Sequence, residues 1–172
     1  DYMAMSSTFT KAMIENNAMD FGEMITATYR LLRDHADVRK KYQQRYRYIH
    51  VDEYQDTNRA QYLLLSLLAS PEHGGHGNIC VVGDEDQSIY GWRGADIRNI
   101  LDFEREYRGA HLVKLEQNYR STQTIVEAAS KLISHNTQRK NKTLFSEEEV
   151  GERIVRISCP DEESSAALKQ IV

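Results

Sequence analysis

Two short apolar runs each end by presenting acidic side chains, and this constrains the fold more than any other feature of the chain. Tyr48-Ile49-His50-Val51 stops at Asp52-Glu53, and Asn78-Ile79-Cys80-Val81-Val82-Gly83 stops at Asp84. Runs this short and apolar read as strands buried in a parallel sheet. Helical patterns surround them. Residues 1–46 read as helical, with Asp20 as N-cap before Phe21 and with Phe21, Met24, Ile25, Leu31 and Leu32 at helical spacing. Asn58 can cap a helix through Ala69 that carries Ala60, Leu64, Leu67 and Leu68 on one face. Asp96 opens another, with Ile97, Ile100 and Leu101 inward. His111–Leu115 reads as a third strand. Ser121 then caps a helix with Ile125, Ala128, Ala129, Leu132 and Ile133 on one face. Residues 135–150 read as a polar connector, Arg153–Ser158 as a fourth strand and Asp161–Val172 as the start of a helix. Strands alternating with helices indicate an α/β protein with a parallel sheet. In such folds ligands bind just past the strand C-termini, where this chain puts its polar chemistry.

Composition narrows the class. No run reaches the roughly 18 apolar residues of a membrane span. Cys80 and Cys159 lack CxxC spacing, so a disulfide or zinc framework is not expected and the reducing cytoplasm is the default location. The formal net charge of −4 argues against bulk electrostatic binding of nucleic acid, though not against a local basic or aromatic track. The chain begins on Asp1 rather than Met and reads as a fragment of something larger.

Three segments carry chemistry. In the first, Tyr48–Asp56, the strand delivers Asp52-Glu53. The Asp of such a pair can hold Mg²⁺, usually through water, and the Glu can orient and deprotonate an attacking water. The same pair could equally be structural or capping. In the second, Val81–Ala95, Gln87 could sense a terminal phosphate. Tyr90-Gly91-Trp92-Arg93-Gly94 sets the single Trp beside a cation in a glycine-flanked loop, which suits base stacking. The alternative is that Trp92 fills the core. In the third, Leu115–Thr122, Tyr119 could stack on a base and Arg120 could clamp a phosphate, or Arg120 could simply be solvated.

Taken in order, VDEYQDTN, VVGDEDQSIYGWRGA and LEQNYRST resemble the superfamily 1 DNA helicases of the UvrD/Rep/PcrA group. Asn17–Phe21 and Asn136–Lys142 extend the resemblance over nearly the whole chain. It implies RecA-like P-loop NTPase sheets, incomplete here and spanning two domains. Residues 1–46 would be a helical accessory region, 47–115 the C-terminal part of the first ATPase domain and 116–172 the start of the second. It implies an ATP-dependent motor that moves 3′ to 5′ on single-stranded DNA, opens duplex DNA and serves DNA repair. Asp52 would hold Mg²⁺ with Glu53, and Glu53 would be the catalytic base. Gln87 would contact the γ-phosphate, Tyr119 would stack on adenine, and Arg120 would act as an arginine finger in cis. Tyr90, Trp92 and Arg93 would line the DNA channel. Tyr54 stands where the family commonly has Phe, and Glu85 where it has Asp.

No glycine here is followed by Lys, so these 172 residues contain no G-x-x-x-x-G-K-[ST] phosphate loop. The polypeptide alone is expected to hydrolyse ATP negligibly and to expose apolar sheet edges. Two other readings compete. One is a Mg²⁺-dependent nuclease built on Asp52, Glu53, Asp56, Asp84 and Asp86. The other is a single-stranded DNA-binding module without enzymatic activity. His73 and His76 read as a solvated loop, Arg139, Lys140 and Lys142 as a solvated connector, and Cys80 as a small buried hydrophobe.

Overall fold

The structure, a computed structural model, describes residues 2–137, 139–140 and 142–155, with side chains from Thr8 onward. The chain divides into two compact units, Asp1–His111 and Leu112–Val172.

The first unit opens with three helices, α1 (Tyr2–Glu15), α2 (Phe21–Asp34) and α3 (Ala36–Arg45). Asn17, at φ 48°, breaks the chain after α1. Asp20 caps α2 as its sequence position indicates, its Oδ1 accepting from the Glu23 N–H at 2.6 Å. Strand β1 (Ile49–Val51) then pairs in parallel with β2 (Ile79–Val81), with Ile49 opposite Ile79 and Val51 opposite Val81. Between them runs α4 (Arg59–Ala69), which packs on α2. Asn58 closes a reciprocal cap with Gln61, each side chain taking the other's backbone N–H at 2.9–3.0 Å. Asn58→Ala is expected to cost about 1 kcal/mol, read as a lower urea midpoint with unchanged slope. Gln43 of α3 secures the far end of α4, donating to the carbonyls of Leu67 at 2.7 Å and His73 at 2.9 Å.

The core of this unit is small. Leu32, Leu67 and Ala69 are buried between the helices, and Tyr54 and Phe103 are buried beside the strands. Several sequence expectations change here. The strands are shorter than the apolar runs, and they are only partly buried, because the middle residue of each, His50 and Cys80, faces outward. Cys80 is therefore an exposed thiol, not a packed one. The helix expected from Asp96 is two single turns, α5 (Arg98–Leu101) and α6 (Phe103–Glu106), meeting at Asp102. Phe21 is 85% exposed, so the apolar stripe of α2 is not buried along its full length.

Across the boundary between the units, His111–Leu115 is not among the strands of the described residues. These residues are exposed and belong to no strand of the described residues, and β-type composition alone does not make a strand. The parallel pair is instead β3 (Gln117–Asn118) with β4 (Phe145–Ser146), the latter inside the stretch read as a connector. Helix α7 (Gln123–Ile133) starts one residue later than expected, at N-cap Thr122 rather than Ser121. The Ser121 carbonyl, which an N-cap offers to the first helical N–H, accepts instead from Ser146 Oγ at 2.7 Å, and the Val126 N–H donates to the Thr122 carbonyl at 3.1 Å. The buried side of α7 is set by Val126, whereas Ile125 and Leu132 are exposed. Arg153–Val155 form no strand, while residues 156–158, Cys159 and the helix expected at 161–172 lie outside the described residues.

Candidate nucleotide and DNA site

The chain turns sharply as it leaves β1. Asp52 and Glu53 are both exposed, and Asp52 Oδ1 accepts from the Glu53 N–H at 2.9 Å. Glu53 sits in the left-handed region at φ 49°, ψ 44°, a conformation that is unfavourable for a residue with a Cβ. Strain of this kind persists only where the surroundings impose it, and it collects at functional sites. The surroundings are visible. Tyr54 is 1% exposed, and its backbone N–H donates to the Val82 carbonyl at 2.9 Å. Gln55 is equally buried, and its amide Nε2 donates to Glu53 Oε2 at 2.7 Å.

Asp52, Glu53 and Asp56 line one side of an open cleft of roughly 370 Å³, faced by Ile25, Leu64 and Leu65. Asp56 Oδ1 is buried with no hydrogen-bond partner among the described residues. A buried carboxylate oxygen left without a donor beside two exposed carboxylates suits a hydrated hard cation, which takes oxygen ligands and keeps several waters. The donor set therefore fits Mg²⁺. Among the described residues no three His, Cys, Asp or Glu side chains converge to form a metal cage by themselves. His73 and His76 likewise belong to no such group.

The loop after β2 is built around Asp84. Its backbone N–H donates to Gln55 Oε1 at 3.0 Å, its Oδ1 accepts from the Asp86 N–H at 2.9 Å, and its Oδ2 accepts from Gln87 Nε2 at 2.9 Å. Gln87 is exposed at the rim of this loop. Five residues on, Trp92 is 81% exposed and so does not fill the core. The Arg93 guanidinium lies 5.5 Å from the Trp92 ring centroid and 5.7 Å from that of Tyr90, within cation–π range of both. Gly94 closes the turn at φ 87°, where a side chain would be strained.

The aromatic loop is fastened to the acidic one. Asn58 and Ala95 form an antiparallel bridge, and the Asp96 N–H donates to the Thr57 carbonyl at 3.0 Å. Asn99 is buried and donates to both the carbonyl and Oγ1 of Thr57, each at 3.0 Å. Thr57 Oγ1 in turn donates to the Tyr54 carbonyl at 2.7 Å. Gln55, Thr57 and Asn99 were not singled out from the sequence. Neutral amides and hydroxyls carry no charge signature, and only the fold shows that they are buried and shared.

In the second unit Tyr119 is 76% exposed and its hydroxyl donates to Gln117 Oε1 at 2.8 Å. Arg120 is exposed, its backbone N–H held by Asn118 Oδ1 at 2.9 Å. Ser146 Oγ donates to the Ser121 carbonyl at 2.7 Å and anchors this turn on β4. Asp52, Glu53, Gln87, Tyr90, Trp92 and Arg93 thus belong to the first unit, and Tyr119 and Arg120 to the second.

Comparison with known proteins matches residues 1–108 to the UvrD/REP helicase N-terminal domain and residues 113–171 to the UvrD-like helicase C-terminal domain. The chain is 51% identical over 148 residues to an ATP-dependent DNA helicase PcrA of Staphylococcus aureus, covering 86% of this chain and 20% of that protein. It is 48% identical over 158 residues to a DNA helicase II of Rickettsia typhi, covering 92% of this chain and 23% of that protein. A probable DNA helicase II homolog of Rickettsia conorii matches at 48% over the same length, 24% of that protein. The chain therefore spans about a fifth to a quarter of the length of these relatives.

Proposed function

The chain belongs to the UvrD/REP helicase family, and on that premise we propose that it supplies part of the ATP site and part of the DNA track of an ATP-dependent, cytoplasmic 3′-to-5′ DNA helicase. The two units are then parts of two RecA-like domains, with α1–α3 as an accessory region. Among the described residues no helix is long and apolar enough to cross a membrane. Asp52 and Glu53 would hold Mg²⁺. The ion supplies charge neutralisation at the phosphates when bound. Glu53 accepts the proton of the attacking water, and Gln87 hydrogen-bonds the γ-phosphate. Tyr119 stacks on adenine, and the Arg120 guanidinium offsets negative charge building on the transferred phosphoryl group. Tyr90, Trp92 and Arg93 carry single-stranded DNA.

One observation carries this reading. Asp52, Glu53 and the exposed Trp92–Arg93 platform lie on loops pinned together through Thr57 and Asn99. A pure DNA binder has no use for that fastening, whereas a motor needs its phosphate site and its DNA track to move together. Trp92→Ala in the whole protein is expected to weaken binding of an oligo-dT strand by about 1–3 kcal/mol, measured by fluorescence anisotropy. Unaltered affinity would remove Trp92 from the track. Polarity is read from partial duplexes: unwinding of the 3′-tailed substrate supports the assignment, and unwinding of the 5′-tailed one alone reverses it. The 172-residue polypeptide by itself is expected to show no DNA-stimulated ATP turnover, because it lacks a G-x-x-x-x-G-K-[ST] loop to cradle the phosphates. Turnover by that purified polypeptide would refute this expectation.

A further inference from the structure

We infer that Gln55 is a positioning residue for Glu53, and that its side-chain amide ties Glu53 to the loop that carries Gln87; the inference rests on the ATP-hydrolysing reading above. Gln55 is 1% exposed, and both ends of its amide are used. Nε2 donates to Glu53 Oε2 at 2.7 Å, and Oε1 accepts from the Asp84 N–H at 3.0 Å. The orientation is forced by chemistry. A flipped amide would set its NH₂ against the Asp84 N–H and its oxygen against a carboxylate, leaving two donors and two acceptors face to face. The loop is also held on its other side, where Ser88 Oγ donates to the Gln55 carbonyl at 3.4 Å.

Gly83 explains how the amide reaches across. A Cβ on Gly83 would lie 2.5 Å from Gln55 Oε1 and 2.9 Å from Ile100 Cδ1, so a side chain there would occupy the space of the bridge. Asp84 continues the connection, since its Oδ2 accepts from Gln87 Nε2 at 2.9 Å. The result is one hydrogen-bonded line, Glu53 to Gln55 to Asp84 to Gln87. When Gln87 turns toward a phosphate it leaves Asp84, and the resulting shift of the loop reaches Glu53 through a single rigid amide. Glu53 needs such a hold, because its left-handed backbone has no local preference to stay where it is. Gln55 touches no reacting atom. Its effect is on where the base stands.

The test uses the whole protein with saturating oligo-dT and compares Gln55→Leu with Gln55→Glu. Gln55→Glu keeps the side-chain volume and an oxygen for the Asp84 N–H, but it turns an oxygen toward Glu53. A purely structural role lowers stability and oligo-dT affinity and raises KM for ATP along with any loss of kcat, because Gln55→Glu buries a carboxylate beside Glu53. A positioning role lowers kcat about tenfold or more in both variants, with KM for ATP held within about twofold. If Gln55→Leu does not fold, Gln55→Glu carries the comparison. A double-mutant cycle supplies the second readout. Along one line, Gln55→Leu combined with Gln87→Ala loses no more than the worse single change. Effects that multiply, or an unsubstituted kcat in Gln55→Glu, overturn the inference. Absence of ATP turnover in the unsubstituted protein overturns the functional reading, and this inference with it. Normal turnover there, with unchanged turnover in the variants, overturns the inference alone.

Discussion

Replacing Glu53 with Gln is expected to lower DNA-stimulated ATP turnover of the whole protein by about 10²–10⁴-fold, the contribution of a positioned general base. The change keeps the shape of the side chain. A Gln at this position still offers a carbonyl oxygen to Gln55 Nε2, which donates to Glu53 Oε2 at 2.7 Å, so the loop should keep its form. The proton acceptor is what disappears. KM for ATP and affinity for oligo-dT should stay within about twofold, because those interactions are not the ones removed. Steady-state hydrolysis and anisotropy on the same preparation check both halves. Retention of full turnover would show that some other group takes the proton. A matching loss of DNA affinity would show that the substitution had damaged the fold.

Tyr54→Ala is expected to cost about 3–5 kcal/mol of the stability of the first unit, as truncation of a fully buried aromatic does. The Tyr54 ring meets Phe103 edge-on at 5.8 Å, and Phe103 stacks on Tyr107 at 4.7 Å. Few side chains in this unit are as buried, so the cavity has little around it that can collapse inward. Burial raises the Tyr54 hydroxyl above the usual phenol range, so it stays neutral and the loss is one of packing, not charge. Tyr54→Phe keeps the ring and should cost far less. Hydrogen exchange of the β1 and β2 amides reads the result locally. A loss under about 1 kcal/mol for Tyr54→Ala would mean that the acidic loop is not held by this cluster.

Much of the first unit was legible from residue order. Asp20 and Asn58 cap helices because a short polar side chain just before a helix satisfies N–H groups the helix cannot, and that logic is local. The placement of Asp52-Glu53 and Asp84 past the ends of β1 and β2 was equally visible, since an apolar run that stops on carboxylates has already left the sheet. Trp92 could be read either way, and its glycine flanks were the better guide to its exposure.

The misreadings share a cause, because each depended on a partner elsewhere in the chain. His111–Leu115 has strand composition, yet a strand exists only where a neighbouring strand runs in register, and no strand of the described residues includes it. Cys80 lies in an apolar run, but which face of a two-stranded ribbon is covered is decided by what packs on it. Ser121 could have capped α7, but its carbonyl is taken by Ser146 Oγ from β4, leaving Thr122 at the boundary. Nothing in the sequence marks Gln55, a neutral amide set between Glu53 and Asp56. Its importance comes from having one donor and one acceptor between two loops 29 residues apart in sequence.

The most direct test of the central claim is Mg²⁺-dependent ATP hydrolysis by the whole protein, measured with and without single-stranded DNA while the DNA is checked for cleavage. A motor gives turnover that rises on adding DNA and leaves the strand intact. No stimulation by DNA, or cleavage of the strand with Mg²⁺ and no ATP, would contradict the assignment of Asp52, Glu53 and Gln87 to ATP-driven movement.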